Sequence, residues 1–420
     1  WPGHSIGKCG SPLIVEHGRK AVIAGIHSCG DIHSFVSYAS VIRLQDIQDA
    51  VDKILTNRDF FEVASEGHIM VGLESPIMKS PVRHEDLGYL DYFGKVPGSV
   101  NVNQKSSLTE NPLRDELLQP LENCGWDTTV TTGKPQMRPL VRNGKYVSPY
   151  NIGLVNMNRQ KVSLDRDILD ECINEYVNHI TANITVPEKL KPLTLTAAIN
   201  GPEADAFIRR IDPTTAGGFG FPGKKGDYLP LFDVKDTLRV PTTELKLEVV
   251  KILQCYMRGE MVHPINKVCL KDEPRPLDKC NGKTRLFYAS PLAVYLVQRM
   301  FLAPIYSLMV EFNDAFGTAV GINMHSNAAE VYNKLVNMGP NIMEGDYGKY
   351  DQSMPTDIGW AAGSIIVKLG TLLGYNEKSL RVLKAIMSDN LFCFLMINLD
   401  VFMIAGLQPS GKYVTAEDNS

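Results

Sequence analysis

The run from Leu391 to Leu407, LFCFLMINLDVFMIAGL, limits the folding of this chain more than any other segment. A stretch so apolar must leave water, either across a membrane or inside a core. A spanning helix needs about 20 apolar residues. This run is shorter, and Asn398 and Asp400 sit in its middle. Two buried strands joined by a turn at Asn398-Leu399-Asp400 suit the residues better than a membrane helix. No transmembrane segment is expected in the chain.

A length of 420 residues suggests two or three domains. Hydrophobic residues make up 44% and charged residues 21%, which excludes a wholly disordered chain. The net charge of -4 means that any nucleic-acid surface has to come from local clustering. The 8 cysteines are scattered without a Cys-x-x-Cys pair, a pattern for a reducing compartment rather than a disulfide framework. Trp1-Pro2-Gly3 carries no signal peptide, and both ends of the chain look cut.

Patterning changes along the chain. Pro12 to Glu16, Lys20 to His27 and Ser34 to Tyr38 are short β runs, the first two separated by a turn at His17-Gly18-Arg19. Arg43 to Leu55 has helical spacing. Residues 56–160 lose periodicity and read as a linker followed by a loop-rich region. Leu164, Ile168, Leu169, Cys172, Ile173, Tyr176, Val177 and Ile180 then form one apolar helical stripe, with Ser163 as its cap. Residues 213–226 must be a loop, because Gly and Pro dominate. Further on, the spacing predicts a helix over 289–311 and a short strand, Asn341 to Asp346. It also predicts helices capped by Thr356 and Asn376.

Chemistry-bearing residues gather at the two ends. Gly7-Lys8-Cys9-Gly10 is a nucleophile between glycines that let the backbone turn its N–H groups toward an oxyanion. His27 follows in Gly25-Ile26-His27, where an imidazole can hydrogen-bond an amide or acid side chain in a specificity pocket. His4, Cys9, His27, Cys29 and His33 could instead be drawn as a zinc site, but they lack tight paired spacing. GKCGSPL…AGIHSCG resembles the C-terminal barrel of picornain-type cysteine proteases, over about residues 1–50. The resemblance implies that Cys9 attacks the peptide carbonyl and that His27 selects Gln or Glu before the cut.

Downstream, Lys267, Lys271, Arg275, Lys279, Lys283 and Arg285 outnumber Asp272, Glu273 and Asp278. A basic ribbon in an otherwise acidic chain suits a triphosphate or an RNA backbone. Gly282-Lys283-Thr284 ends like a P-loop, but Leu277 stands where its first glycine belongs. Asp346 ends an apolar strand at a sheet edge, a place for a carboxylate that holds metal ions. Asp351 falls past the turn and serves substrate instead. Ser410-Gly411 breaks the next strand. Thr415 and Asn419 are four apart, on one face of a starting helix, where hydroxyl and amide can read a ribose 2′-OH.

These pieces, in this order, resemble the polymerases of picorna-like viruses, with dicistrovirus-like or marnavirus-like polyproteins as nearest kin. The carriers are Lys271-Asp-Glu-x-Arg275…Lys279…Lys283-Thr-Arg285, Ala319-Val-Gly321, Asp346-x4-Asp351 and Ser410-Gly411-x3-Thr415-x3-Asn419. Asn200-Gly201 and Thr214-Thr215-Ala216-Gly217 resemble the fingers loop, which usually reads Thr-Ser-Ala-Gly. The resemblance implies a multi-domain chain. A partial antiparallel β-barrel of chymotrypsin-like type (1–55) leads through a linker and polymerase N-terminal extension (56–105). An α+β right-hand fold of fingers and partial palm follows (106–420), with the thumb missing. A protease–polymerase junction is expected in 56–105, with Glu66-Gly67 as the bond.

It further implies that Asp346 binds Mg2+ or Mn2+. Asp351 and Asn419 recognise ribose, with Ser410, Gly411 and Thr415 supporting them. Lys271 and Arg285 contact the triphosphate, and Arg275 and Lys279 line its channel. The partners implied are RNA template and primer, nucleoside triphosphates, and polyprotein segments as protease substrate. The setting is the host-cell cytoplasm, in a membrane-associated replication complex. Tyr-Gly-Asp-Asp, the third palm motif, is not in the 420 residues. The chain alone is therefore expected to be inactive, with an exposed apolar sheet edge around Leu391 to Ile404. A non-catalytic RNA-binding module and a reverse-transcriptase-like polymerase stay open. The latter should not carry Asp351 with Asn419.

Overall fold

A computed structural model describes residues 12–17, 20–31, 36–41, 45, 90–96, 105–158, 162–185, 189–203, 205, 207–233 and 237–413. The chain divides into two units, Trp1–Ala64 and Ser65–Ser420. In the first unit, β1 (Pro12–His17), β2 (Lys20–Asp31) and β3 (Val36–Val41) form an antiparallel sheet in the order β1-β2-β3. His17 pairs with Lys20 across the expected turn. Cys9, Glu66-Gly67 and nearly all of the helical spacing at 43–55 lie outside the described residues.

The second unit is built on a five-stranded sheet. Its strands are β4 (Asp91–Lys95), β8 (Ile265–Leu270), β10 (Leu286–Ala289), β11 (Phe392–Ile397) and β12 (Asp400–Ala405), in the order β10-β8-β11-β12-β4. Two small strand pairs stand apart from it, β5 (Thr132–Gly133) with β9 (Arg275–Pro276) and β6 (Leu140–Arg142) with β7 (Lys145–Val147), as do the isolated bridges Ala216 with Lys224 and Leu231 with Arg239. The apolar run at 391–407 is the expected hairpin, with Ile397 opposite Asp400. Asn398 adopts the left-handed conformation (φ 55°), which Asn tolerates in tight turns.

The hairpin does not present an open edge, contrary to expectation. β11 pairs in parallel with β8, and β12 pairs antiparallel with β4. β4 comes from the stretch read as linker. Its Val96 N–H continues the ladder by donating to the Leu399 carbonyl (2.8 Å). Strands buried among neighbours need no alternation of polar residues, and Cys393, Leu395, Ile397, Phe402 and Ile404 are all buried.

The expected strand Asn341 to Asp346 does not form. The segment is extended and exposed, with Met343 96% accessible. A strand exists through its partner, and both sides of the hairpin are already occupied. None of the described strands pairs with 341–346.

Helices cover the remaining core. Arg166–Asn183 is capped by Asp165, whose side chain accepts from Asp167 and Ile168 N–H, rather than by Ser163. Only Ile173, Val177 and Ile180 of its apolar stripe are buried; Ile168 is 61% exposed. The helix Leu292–Glu311 starts later than the spacing suggested, because Pro291 sets its entry. It is long and apolar enough to cross a membrane, yet 78% of its apolar window is buried in the core. Thr356 is the first residue of the helix Thr356–Leu372, and Pro355 holds the cap position. Asn376 caps Glu377–Leu391 by accepting from Ser379 N–H, as expected.

Candidate active site

The basic ribbon is an elaborated β-hairpin. β8 and β10 pair with Leu270 opposite Leu286. Lys271 N–H then donates to the Arg285 carbonyl (2.8 Å), so Lys271 and Arg285 leave the same end side by side. The excursion between them is pinned where β9 pairs with β5, and where the Thr284 hydroxyl donates to the Gln136 carbonyl (2.6 Å). Glu273 gathers the cations: Lys271 at 3.0 Å, Arg285 at 3.2 Å and Arg275 at 3.9 Å. Burial pushes its carboxyl upward, but the Lys271 hydrogen bond and the charges of Arg285 and Lys271 prevail and hold it below the ordinary range. Asp272 accepts from Ser106 Oγ (2.7 Å) and from Ser107 N and Oγ (both 2.6 Å). Lys279 is exposed on the single helical turn Leu277–Lys279.

Facing the hairpin is the short helix Tyr350–Ser353, entered through Lys349 in the left-handed conformation. Asp351 is partly buried here. Burial pushes its carboxyl up, and Arg285 opposes that shift. Its carbonyl accepts from Gln408 N–H (3.0 Å), which ties the helix to the next motif. Asp346 is exposed on the open segment before it. No group of three or more metal-ligating side chains occurs among the described residues.

The loop after β12 lies on β10. A Cβ on Gly411 would stand 1.6 Å from the Tyr288 carbonyl oxygen, so only glycine permits this approach. Ser410 is exposed, while Lys412 and Tyr413 are buried. The Thr214-Thr215-Ala216-Gly217 turn is fixed nearby. Thr214 N and Oγ1 donate to Asp212 Oδ1 (2.8 and 2.7 Å), and Leu292 N–H donates to the Gly217 carbonyl (2.9 Å).

Residues 126–420 match the family model for viral RNA-dependent RNA polymerase. The chain belongs to that family. The chain is 24% identical over 376 residues to the replicase polyprotein of Drosophila C virus, an alignment that takes in 84% of this chain and 20% of that polyprotein. It is 31% identical over 244 residues to the RNA1 polyprotein of Satsuma dwarf virus, covering 54% of this chain and 11% of the relative. A solved Sicinivirus 3Dpol RNA-dependent RNA polymerase superposes with a TM-score of 0.59 at 18% identity, over 77% of this chain and 63% of that one. The fold is therefore the fingers and palm of this polymerase class.

Of the residues singled out by sequence, the fold brings Lys271, Arg275 and Arg285 together, sets Arg285 against Asp351, and lays Gly411 on β10. Asp346 and Lys279 are exposed. Thr415, Asn419 and Cys9 lie outside the described residues, and His27 is on β2 of the other unit.

Three residues escaped the sequence reading. Arg299 is 5% exposed, with Nε and Nη2 lacking hydrogen-bond partners, and its guanidinium lies 5.5 Å from the Tyr413 ring. Lys225 stacks on Tyr295 at 4.2 Å; burial lowers its pKa, Asp212 opposes, and Arg299 adds to the lowering. Tyr288 is wholly buried. Arg299 left one signal, a lone charge inside the apolar run LAVYLVQRMFLAPIYSLMV.

Proposed function

We propose that this chain carries out RNA-templated RNA synthesis within a viral replicase polyprotein, joining nucleoside triphosphates to a primer on a template. The observation that carries the reading is convergence. Arg285, Asp351 and Gly411 come from three motifs far apart in sequence, and all meet at β10. In this reading Lys271 and Arg285 meet the triphosphate, for which a guanidinium fork is well shaped. Arg275 and Lys279 line its channel. Asp351 and Asn419 read the ribose, supported by Ser410, Gly411 and Thr415.

The carboxylate of Asp346 is the hard oxygen donor that Mg2+ or Mn2+ takes, so this residue would hold the ion. The bound ion would neutralise charge on the phosphates. The protein's own part is to bind, orient and discriminate: the Glu273 hub keeps the cations in register, and the Gly411 loop fixes what stands beside Asp351.

The test is template-directed incorporation by the polymerase together with its flanking sequence. Asp346→Ala should lower turnover by at least about 100-fold, the scale of losing an electrostatic contributor. Wild-type turnover in that variant rejects the assignment. Asn419→Ala should narrow the ratio of kcat/KM for ribonucleotides over deoxyribonucleotides, and a fixed ratio with a falling rate makes Asn419 structural.

For the unit Trp1–Ala64 we propose the C-terminal part of a chymotrypsin-like cysteine protease, with Cys9 as nucleophile and His27 reading Gln or Glu. The antiparallel sheet with His27 on its middle strand supports this. Cys9→Ala should stop processing of the polyprotein, and continued processing rejects the role. The proposed setting is the host cytoplasm, at membrane-associated replication complexes.

A further inference from the structure

We propose that Tyr288 is a positioning residue for Asp351, its hydroxyl orienting the carboxylate that meets the ribose. The inference rests on the reading of Asp351 as the ribose contact. Tyr288 is 0% exposed, and its hydroxyl has no hydrogen-bond partner. Buried hydroxyls nearly always have one, so an orphan beside an active site calls for a reason. The ring cannot move to find a partner. Its backbone is fixed in β10 opposite Val268, and the Gly411 loop bears on its carbonyl.

The groups around the hydroxyl are the acceptors of the short helix Tyr350–Ser353. The Asp351 carboxylate acts on it electrostatically, and the Gln352 side chain is near enough to act on it too, without closing a hydrogen bond of ordinary length. The backbone of this helix is tied down through the Asp351 carbonyl, so only its side chains can turn. Arg285 is the charge that favours ionised Asp351 against the effect of burial. An incoming triphosphate would engage Arg285 and draw that cation away. The phenol is a donor already in place to take over the carboxylate and fix its direction toward the ribose. A hydroxyl left unpaired in the free protein and paired in the nucleotide complex contributes to discrimination without contributing to resting stability.

Tyr288→Phe tests this, since it keeps the ring and removes the donor. The polymerase with its flanking sequence is assayed for kcat/KM with ribo- and deoxyribonucleotides, with Asp351→Ala in parallel, and thermal unfolding is measured on both. Tyr288→Phe should reduce the ribo/deoxyribo ratio by about tenfold, equivalent to about 1.4 kcal/mol. The melting temperature should stay within about 1 °C of wild type, because no bond is lost from the free protein. A drop of several degrees would mean that the hydroxyl already serves the resting fold, and overturns the proposal. An unchanged ratio in Tyr288→Phe with a narrowed ratio in Asp351→Ala overturns it while leaving the ribose role of Asp351 standing. An unchanged ratio in both removes that role, and this inference with it.

Discussion

Gly411→Ala is the sharpest perturbation of the site. The added methyl would sit 1.6 Å from the Tyr288 carbonyl oxygen and 2.7 Å from its carbon, and the first distance must grow beyond 3.0 Å. The obstacle is backbone in a paired, buried strand, so the loop has to move instead. Overpacking of this kind costs about 1–3 kcal/mol, and a backbone obstacle argues for the upper end. For a unit of this size that corresponds to a drop of about 4 °C in Tm, at an unfolding entropy of about 2.1 cal/mol/K per residue. The functional effect should be larger. Lifting the loop breaks the Gln408 N–H bond to Asp351 and displaces Ser410, and a misplacement of about 1 Å can cost about 100-fold in rate. Differential scanning fluorimetry of the chain, hydrogen exchange at the Gln408 amide and primer extension by the polymerase measure the three consequences. Gly345→Ala is the stability control, since nothing lies within 4 Å of its added methyl. Wild-type Tm, Gln408 protection and rate in Gly411→Ala would refute the seating of the loop on β10.

Glu273→Gln removes the hub of Lys271, Arg275 and Arg285. These partly exposed pairs each contribute about 1 kcal/mol or less to stability, so Tm should hold to within a few degrees while KM for nucleotide rises severalfold in steady-state assays. Arg285→Gln takes away the charge that opposes burial at Asp351, so the acid limb of the pH profile of kcat/KM should move to higher pH; a limb that stays put separates the two residues. Asp389 accepts from Tyr256 Oη (2.8 Å), Val262 N (3.0 Å) and His263 N (3.1 Å). Asp389→Ala leaves these donors stranded and should cost about 3 kcal/mol in urea titrations. Burial raises the Asp389 carboxyl, and Tyr256 and its other donors only partly offset this. The folded state therefore binds the proton more tightly than the unfolded chain. This residue's contribution to stability is greatest in acid and declines as pH rises from the ordinary aspartate value through the raised one. Asp389→Asn should flatten that decline.

The parts of the fold that were legible in sequence are those set by local rules. The hairpin at 391–405 follows from an apolar run that water and lipid both reject. The cap at Asn376 follows from a side chain that satisfies a backbone group within a few residues. Gly411 could be read as a turn former, but not as a residue pressed onto another strand, because the strand it meets comes from elsewhere in the chain. Ser163 lost the capping role to Asp165, two residues on, where a carboxylate accepts from two helix N–H groups at once.

What stayed illegible depends on partners. Asn341 to Asp346 has the composition of a strand, yet it lies open because β4 and β8 already flank the hairpin. β4 itself sits in a stretch without periodicity, since five residues at a sheet edge need only hydrogen bonds and one packed face. The site follows the same logic. Motif residues announced themselves by charge and spacing, but Tyr288 is an ordinary strand aromatic until its hydroxyl is found unpaired beside Asp351. Arg299 is the intermediate case. A guanidinium inside an apolar helix is costly unless something meets it, so its presence in sequence already implies a counter-group. Only the fold shows which groups stand around it, the Tyr413 ring at 5.5 Å and the Lys225 ammonium.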